Sequence, residues 1–240
     1  MNREASREWT AALYRRFLPG EADAYATFLG LAQSGCPEGG TVVDLGCGDE
    51  CYLACLSGKA AEIIGVDERP LRGAYGRYVQ ADLDRDIGLD AGCADLAASK
   101  FLIEHLGKPG EFFRQVYHSL RPGGMLVVMT PNVLYYPYAV NLLLSRLLDQ
   151  ERRMKVVGFF SGRGRHEIFP VYYRCNTPRR LRAELEAAGF EVVHLGTYGD
   201  YLASAVNRTL GAVAVAYEKA VSLLGLEYAR GFIVAAAVRK

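Results

Sequence analysis

The chain has almost no net charge. Its 28 lysines and arginines stand against 27 aspartates and glutamates in 240 residues, a formal +1. No basic excess argues for a nucleic-acid partner, and no acidic run argues for a solvating tail. Cysteine is scarce: six residues, at 36, 47, 51, 55, 93 and 175, are too few for a disulfide scaffold in a chain this long. The N-terminus, MNREASREWT, has no apolar core of the kind a signal peptide needs. Reduced thiols in a cytoplasmic protein are therefore expected. Long unbroken apolar runs are missing as well. Residues 122–145 carry no charge, but Pro122-Gly123-Gly124 opens them with a turn, and Pro131, Asn132 and Pro137 interrupt them. A spanning helix takes ~20 continuous apolar residues, so the stretch reads as a strand, a loop and a helix start, with no transmembrane span. Internal repeats, low-complexity segments and Pro/Ser-rich linkers are also lacking. One domain over residues 1–240 is expected.

What is present is an alternation. Residues 4–34 look helical, with a break at Pro19-Gly20. Trp9, Leu13 and Phe17 recur every four residues and should share the face that packs on the rest of the domain. From residue 41 strands and helices take turns: TVVDLG as strand, CYLACLSG as helix, AEIIGVD, RYVQAD and ADLAAS as strands, PGEFFRQVYHSL as helix and GGMLVVMT as strand. This pattern defines an α/β fold with a mostly parallel sheet. After Thr130 it pauses, and residues 132–176 read as an insert. The insert begins with an amphipathic helix and continues through a Gly- and Arg-bearing loop. Thr177-Pro178 then pairs a capping hydroxyl with proline at the first helical position. The helix they start stops at Gly189, FEVVHLGTY is a strand, a long apolar helix covers about 202–226, and GFIVAAAVR is the last strand.

The chemistry concentrates at the ends of the first three strands. In an open α/β sheet, ligands bind beyond the C-terminal strand ends where the strand order switches. The first strand runs into DLGCG, whose glycines let backbone approach a ligand closely. The helix expected next would aim free N–H groups into the crevice. The second strand ends at Asp67, where an acid commonly accepts hydrogen bonds from ribose hydroxyls. The third ends at Asp82. A pocket for an adenosine-containing cofactor follows. The dinucleotide fingerprint would need glycine where Cys51 stands, which argues against a nicotinamide-dependent oxidoreductase.

These segments resemble a family. VVDLGCGDE is similar to the first motif of the class I S-adenosylmethionine-dependent methyltransferases, IIGVD to the second and VQADL to the third. ADLAASKFLIEHL, SLRPGGMLVVMTPN and AAGFEVV, in that order, resemble the small-molecule branch that includes the ubiquinone-type O-methyltransferases. The resemblance runs from about residue 40 to 198. It implies a Rossmann-like, doubly wound, seven-stranded sheet, mostly parallel, with an antiparallel last strand and helices on both faces. It implies S-adenosylmethionine as cofactor. Asp44 would then orient the methionine amino end, and the turn at Gly46 and Gly48 would pass beneath the methionine and ribose. Asp67 would hold the ribose hydroxyls, Asp82 and Leu83 would flank the adenine, and Ser99 and Lys100 would lie nearby. Glu50 departs from the family, which usually has glycine there. Its side chain either crowds the cofactor or points outward from a helix start, where the dipole favours an acid.

Methyl transfer to a hydroxyl or a protonated amine benefits from a base near the methyl group, and histidine titrates in the useful range. His105, in IEHL, and His166, in GRHEIFP of the insert, are the candidates. His118 and His194 read as structural. The aromatics Tyr135, Tyr136, Tyr138, Phe159, Phe160, Phe169, Tyr172 and Tyr173, interleaved with Arg163, Arg165 and Arg174, suit either a small subdomain core or a lid over an anionic acceptor. Other signals fall away. Cys47, Cys51 and Cys55 miss the spacing of cluster-binding radical enzymes and read as small apolar residues. The acids at 82, 84 and 86 start like a calcium loop, but Ile87 and Cys93 occupy its glycine and glutamate positions. Metal independence is expected. The acceptor is expected to be a small molecule or a lipid- or sugar-linked intermediate, with O-methylation first. The alternative is a non-catalytic binding module on a degraded version of the fold.

Overall fold

The computed structural model describes residues 3–49, 51–70, 75–148, 170–202 and 205–240. Seven strands form one sheet: β1 Thr41–Leu45, β2 Glu62–Asp67, β3 Arg77–Gln80, β4 Ala94–Lys100, β5 Leu120–Pro131, β6 Phe190–Tyr198 and β7 Phe232–Arg239. Their order is β3-β2-β1-β4-β5-β7-β6. The pairs β1–β2, β1–β4, β2–β3 and β4–β5 are parallel. Strand β7 runs antiparallel to both β5 and β6. The expected doubly wound sheet with one reversed last strand is thus the fold. The order reverses between β1 and β4, which opens a crevice at their C-terminal ends.

The central strands are apolar because both faces are covered. Along β1, Val43 and Leu45 enter one core with Ile64, Val66, Phe112, Phe113 and Leu126. Val42 enters the other, with Phe28, Ala32, Leu53, Leu56 and Leu96. Since strand side chains alternate, Asp44 emerges on the face of Val42. That face lies under helix α2, Ala24–Gly35.

The helices begin where their caps dictate. Asp23 accepts from Ala26 N at 2.8 Å to start α2. Helix α3, Pro109–Ser119, has proline in its first turn, and α4 spans Tyr136–Leu147. Thr177 Oγ1 accepts from Arg180 N at 3.3 Å to start α5, Pro178–Ala187, which Gly189 ends at φ 103°. Asn207 Oδ1 accepts from Leu210 N at 2.9 Å to start α6, Arg208–Leu223. This last helix begins later and ends sooner than its apolar pattern implies.

Two expectations change. The segment CYLACLSG forms no α-helix, only a 3-10 turn at Ala54–Leu56, so Cys51 and Cys55 share no helix face. Leu53 and Leu56 are buried while Tyr52 and Cys55 are exposed, and a single turn satisfies that pattern. Among the described residues, no α-helix N-terminus therefore backs the glycine turn. In α1, Arg3–Phe17, the buried row is Ser6, Thr10 and Tyr14, continued by Leu18, and Phe17 is 48% exposed. The row of Trp9, Leu13 and Phe17 lies one position off. The helix still packs on the domain, through α6: a Cβ on Gly211 would sit 2.0 Å from Thr10 Oγ1, so the two helices meet where only glycine fits.

Of the insert, residues 132–148 and 170–176 are described. His166, Phe159, Phe160, Phe169, Arg163 and Arg165 lie outside the described residues, as does Glu50. Tyr135 is fully buried, and its hydroxyl donates to the Asp200 carbonyl at 2.7 Å. Tyr136 and Tyr217 rings meet edge to face. These tyrosines form the core by which α4 docks. No helix among the described residues is long and apolar enough to cross a membrane.

Candidate functional site

The glycine turn is built as its sequence requires. Gly46 and Gly48 have φ of 71° and 59°, the left-handed region that favours glycine. A Cβ on Gly46 would also press on Leu102 at 3.0 Å. The turn folds over the end of β2: Gly46 N and Cys47 N donate to the Val66 carbonyl at 2.8 and 3.2 Å. Gly48 N then donates to Asp67 Oδ2 at 3.0 Å. Arg69 holds the other oxygen, Oδ1, through its backbone N at 3.1 Å and Nε at 3.3 Å. One carboxylate therefore fixes the turn to the second strand.

Asp44 stands at the centre of the crevice, 4% exposed. Tyr75 Oη donates to its Oδ2 at 2.8 Å. Burial pushes the Asp44 carboxyl up to about 6, although the Tyr75 hydrogen bond and the Lys100 charge pull it down. Beside it the Cys47 thiol is pushed up to about 12, mainly by burial and then by the charges of Asp44 and Asp67. That thiol stays protonated at neutral pH and is no nucleophile.

Lys100, at the end of β4, is buried under three rings. Its ammonium lies over Tyr52 and within 5.2 and 5.4 Å of the Tyr25 and Phe101 ring centres. Phe101 has φ 57°, costly for a side chain of its size. The aromatic wall continues: Phe101 and Tyr25 meet Phe232 at 5.6 and 6.1 Å, and Phe232 meets Tyr138 at 6.3 Å. Tyr25 and Tyr52 are 43% and 45% exposed, so this wall opens to solvent.

Of the residues expected from sequence, Asp44, Gly46, Gly48, Asp67 and Lys100 gather at the switch between β1 and β4. Ser99 pairs in register with Leu45, and its buried hydroxyl has no hydrogen-bond partner among the described residues. Asp82 sits one strand over, where Ala81 N donates to the Asp67 carbonyl at 2.9 Å. It is exposed and pairs with Arg85 at 3.3 Å. The Leu83 side chain is buried in the core. His105 ends a 3-10 turn at Ile103–His105, and its Nδ1 meets the Pro170 carbonyl. Its neighbour Glu104 accepts from Thr130 Oγ1 at 3.0 Å, and the Glu104 carbonyl takes Tyr172 N and Tyr173 N at 2.7 and 3.1 Å. Asn176 Nδ2 donates to Thr130 Oγ1 at 2.7 Å. The Glu-His pair thus ties the ends of β4 and β5 to the chain returning from the insert. His194 is bonded to Tyr198 Oη at 2.9 Å within β6, as a structural residue would be.

Sequence reasoning missed Tyr75, Tyr25, Tyr52 and Phe232. For Tyr75 a signal existed: Gly65 interrupts an apolar strand, and glycine inside a strand marks a close approach. A Cβ there would sit 2.7 Å from the Tyr75 ring.

The donor set fits an adenosine cofactor with a charged amino-acid end. It combines a glycine cradle, a buried acid on β1, an acid on β2 and an orphaned hydroxyl on β4. Fold and site together define a doubly wound nucleotide-cofactor protein with the reversed last strand described above. The methyltransferase domain family matches residues 14–195, and the chain belongs to that family. It is similar to a probable S-adenosylmethionine-dependent methyltransferase of Mycolicibacterium smegmatis, 29% identical over 100 residues, 39% of this chain and 39% of that one. A ubiquinone biosynthesis O-methyltransferase of Azorhizobium caulinodans is 25% identical over 165 residues, 64% of this chain and 60% of the relative. The chain thus spans less than two thirds of the length of these relatives. A solved S-adenosylmethionine-dependent methyltransferase from Mesorhizobium loti shares the fold with TM-score 0.56 and 22% identity, over 91% of this chain and 99% of that one.

Proposed function

We propose that the protein transfers a methyl group from S-adenosylmethionine to a small-molecule, lipid- or sugar-linked acceptor, with oxygen as the favoured atom. The observation that carries this reading is the joint geometry of Asp44, the Gly46–Gly48 turn and Asp67 at the sheet's switch point. When bound, the cofactor supplies an electrophilic methyl group on a sulfonium, and the remaining work is positioning and exclusion of water. Asp44 takes the amino end of the cofactor. Asp67 takes the ribose hydroxyls, already steadied by Gly48 N and Arg69. Asp82 receives the adenine end, Gly46 and Gly48 let it lie close, and Ser99 and Lys100 border it. The rings of Tyr25, Tyr52, Phe101 and Phe232 form the near wall for the acceptor, with Lys100 as its cationic floor. His166 or His105 removes the acceptor proton.

The insert, residues 132–176, sets acceptor choice. Replacing it by a short loop should abolish methyl transfer and leave cofactor affinity nearly intact; a folded swap that no longer binds cofactor contradicts this assignment. The reading as a whole is tested by calorimetric titration with S-adenosylmethionine and S-adenosylhomocysteine, with Asp67→Ala as control. Micromolar binding that the control loses supports it. No binding by the folded protein favours a non-catalytic module, with Glu50 closing the pocket.

A further inference from the structure

Only residues 68–76 join the parallel strands β2 and β3. Among the described residues of this link, Tyr75, two residues before β3, lays its side chain against β2. Its ring lies against Gly65, which pairs with Asp44 in register and leaves the needed space. Cys47 Sγ borders the same space, 3.0 Å from where a Gly65 Cβ would sit. Tyr75 also lines a cavity of about 250 Å³, with Cys51, Ala54, Ser57, Ala61 and Ile63. The hydroxyl reaches Asp44 Oδ2 at 2.8 Å, and no described group donates to Oδ1.

We propose that Tyr75 is a positioning residue of the cofactor site: it engages Oδ2 of Asp44 and presents Oδ1 to the ammonium of a cofactor's amino-acid end. The inference rests on the proposed cofactor reading. A buried carboxylate with one oxygen fixed by a neutral donor keeps its charge and its rotamer, which a methionine-type ammonium requires. The donor comes from the β2–β3 link and not from the glycine turn. The charged and titratable groups around Asp44 are Tyr75 itself, Lys100 from β4, Asp67 from β2, and the thiol of Cys47 in the turn, with that of Cys51 beside Tyr75.

The test is calorimetric binding of S-adenosylhomocysteine and of 5′-methylthioadenosine, which keeps the adenosine and sulfur but lacks the amino-acid end. Tyr75→Phe should weaken the first by about tenfold at pH 7, the worth of one hydrogen bond to a charged group, and leave the second unchanged. The loss of homocysteine-ligand affinity on acidification should begin at higher pH in the variant, because a donor that holds Asp44 ionised is gone. Unchanged or tighter binding overturns the proposal, the latter marking Tyr75 as a plug that leaves toward the cavity. Equal losses for both ligands also overturn it, since they mark a structural role. Should Tyr75→Phe not fold, Asp44→Asn serves: it must lose S-adenosylhomocysteine selectively, and equal loss of both ligands or of neither refutes the assignment. A wild-type protein that binds neither ligand defeats the cofactor reading and this inference with it, whereas wild-type binding with an indifferent variant defeats this inference alone.

Discussion

Arg230 grips Glu21 through both terminal nitrogens, Nη1 to Oε2 at 2.6 Å and Nη2 to Oε1 at 2.8 Å. The pair joins the link between α1 and α2 to the residues just before β7, so it sets where α2 lies over the crevice. The Arg230 hydrogen bond holds the Glu21 carboxyl below its usual range, outweighing the burial that raises it. A depressed acid contributes stability that is complete above its unfolded pKa and is lost as pH falls through the folded one. Glu21→Ala should cost about 2–4 kcal/mol at pH 7, because it strands a buried guanidinium. The cost should shrink as the pH falls below the ordinary carboxylate range. Urea unfolding of both proteins at pH 7 and pH 3 checks this, and an equal deficit at both would contradict it.

Asp44 shows the opposite sign. Its carboxyl rises from 3.8 to about 6 through burial. Between those values the folded protein holds more protons than the unfolded chain, so stability falls as pH rises through that window. The ionised form then costs on the order of 3 kcal/mol at neutral pH. Asp44→Asn should therefore unfold at higher temperature than wild type at pH 7.5, with the advantage gone near pH 4. The same variant should bind S-adenosylhomocysteine more weakly. A stabilised protein with a poorer site would be the mark of an acid kept for binding at the expense of stability.

Much of the frame was legible in the sequence, for local reasons. FEVVHLGTY became β6 without adjustment, and Thr177-Pro178 and Gly189 bounded α5 as capping chemistry requires. Asp44 and Asp67 were legible because one stands next to the end and the other at the end of a buried strand, where a carboxylate has no packing role. The α1 stripe was misread because counting apolar residues overlooks a satisfied polar one. Thr10 Oγ1 donates to the Ser6 carbonyl at 2.7 Å and is buried without penalty. The helix expected at CYLACLSG gave way because two leucines three apart need only a turn to be buried. Tyr75 and the ring wall of Tyr25, Tyr52 and Phe232 come from four distant segments, and no local pattern relates them.

Glu218 on α6 is a second buried acid, 1% exposed. Its Oε1 accepts from Asp200 N at 3.2 Å, and its Oε2 has no partner among the described residues. Burial pushes it up to about 7; the hydrogen bond from Asp200 N and the Arg230 charge lower it, and the charges of Asp200 and Glu21 raise it. Tyr14, Tyr135 and Tyr217 also border it. The shift spans 4.5 to about 7, so stability drops as pH rises across that range. Glu218→Gln keeps the acceptor for Asp200 N and removes the charge. It should stabilise the protein by on the order of 3 kcal/mol at pH 8 and by nothing at pH 4. Differential scanning calorimetry at the two pH values reads the difference; a variant less stable at pH 8 would show that the charge is compensated.

Gly65 offers a test of how tightly the Tyr75 ring is held. A Cβ at this position would meet Cδ2 and Cγ of that ring at 2.7 Å and Cys47 Sγ at 3.0 Å. The glycine lies within β2 and has no left-handed backbone to lose. The cost of Gly65→Ala is therefore crowding alone, about 1–3 kcal/mol for an overpacked site. If the ring is the obstacle, shortening it should remove the cost. In a Tyr75→Ala background the same change should be near neutral, or favourable where alanine suits a strand better than glycine. The difference between the two backgrounds is a coupling energy, expected at about 1–3 kcal/mol for side chains in direct contact. Guanidinium unfolding of the four proteins of this cycle measures it. A coupling near zero would mean that the Tyr75 ring is not packed on Gly65 in solution, and that Asp44 meets some other donor.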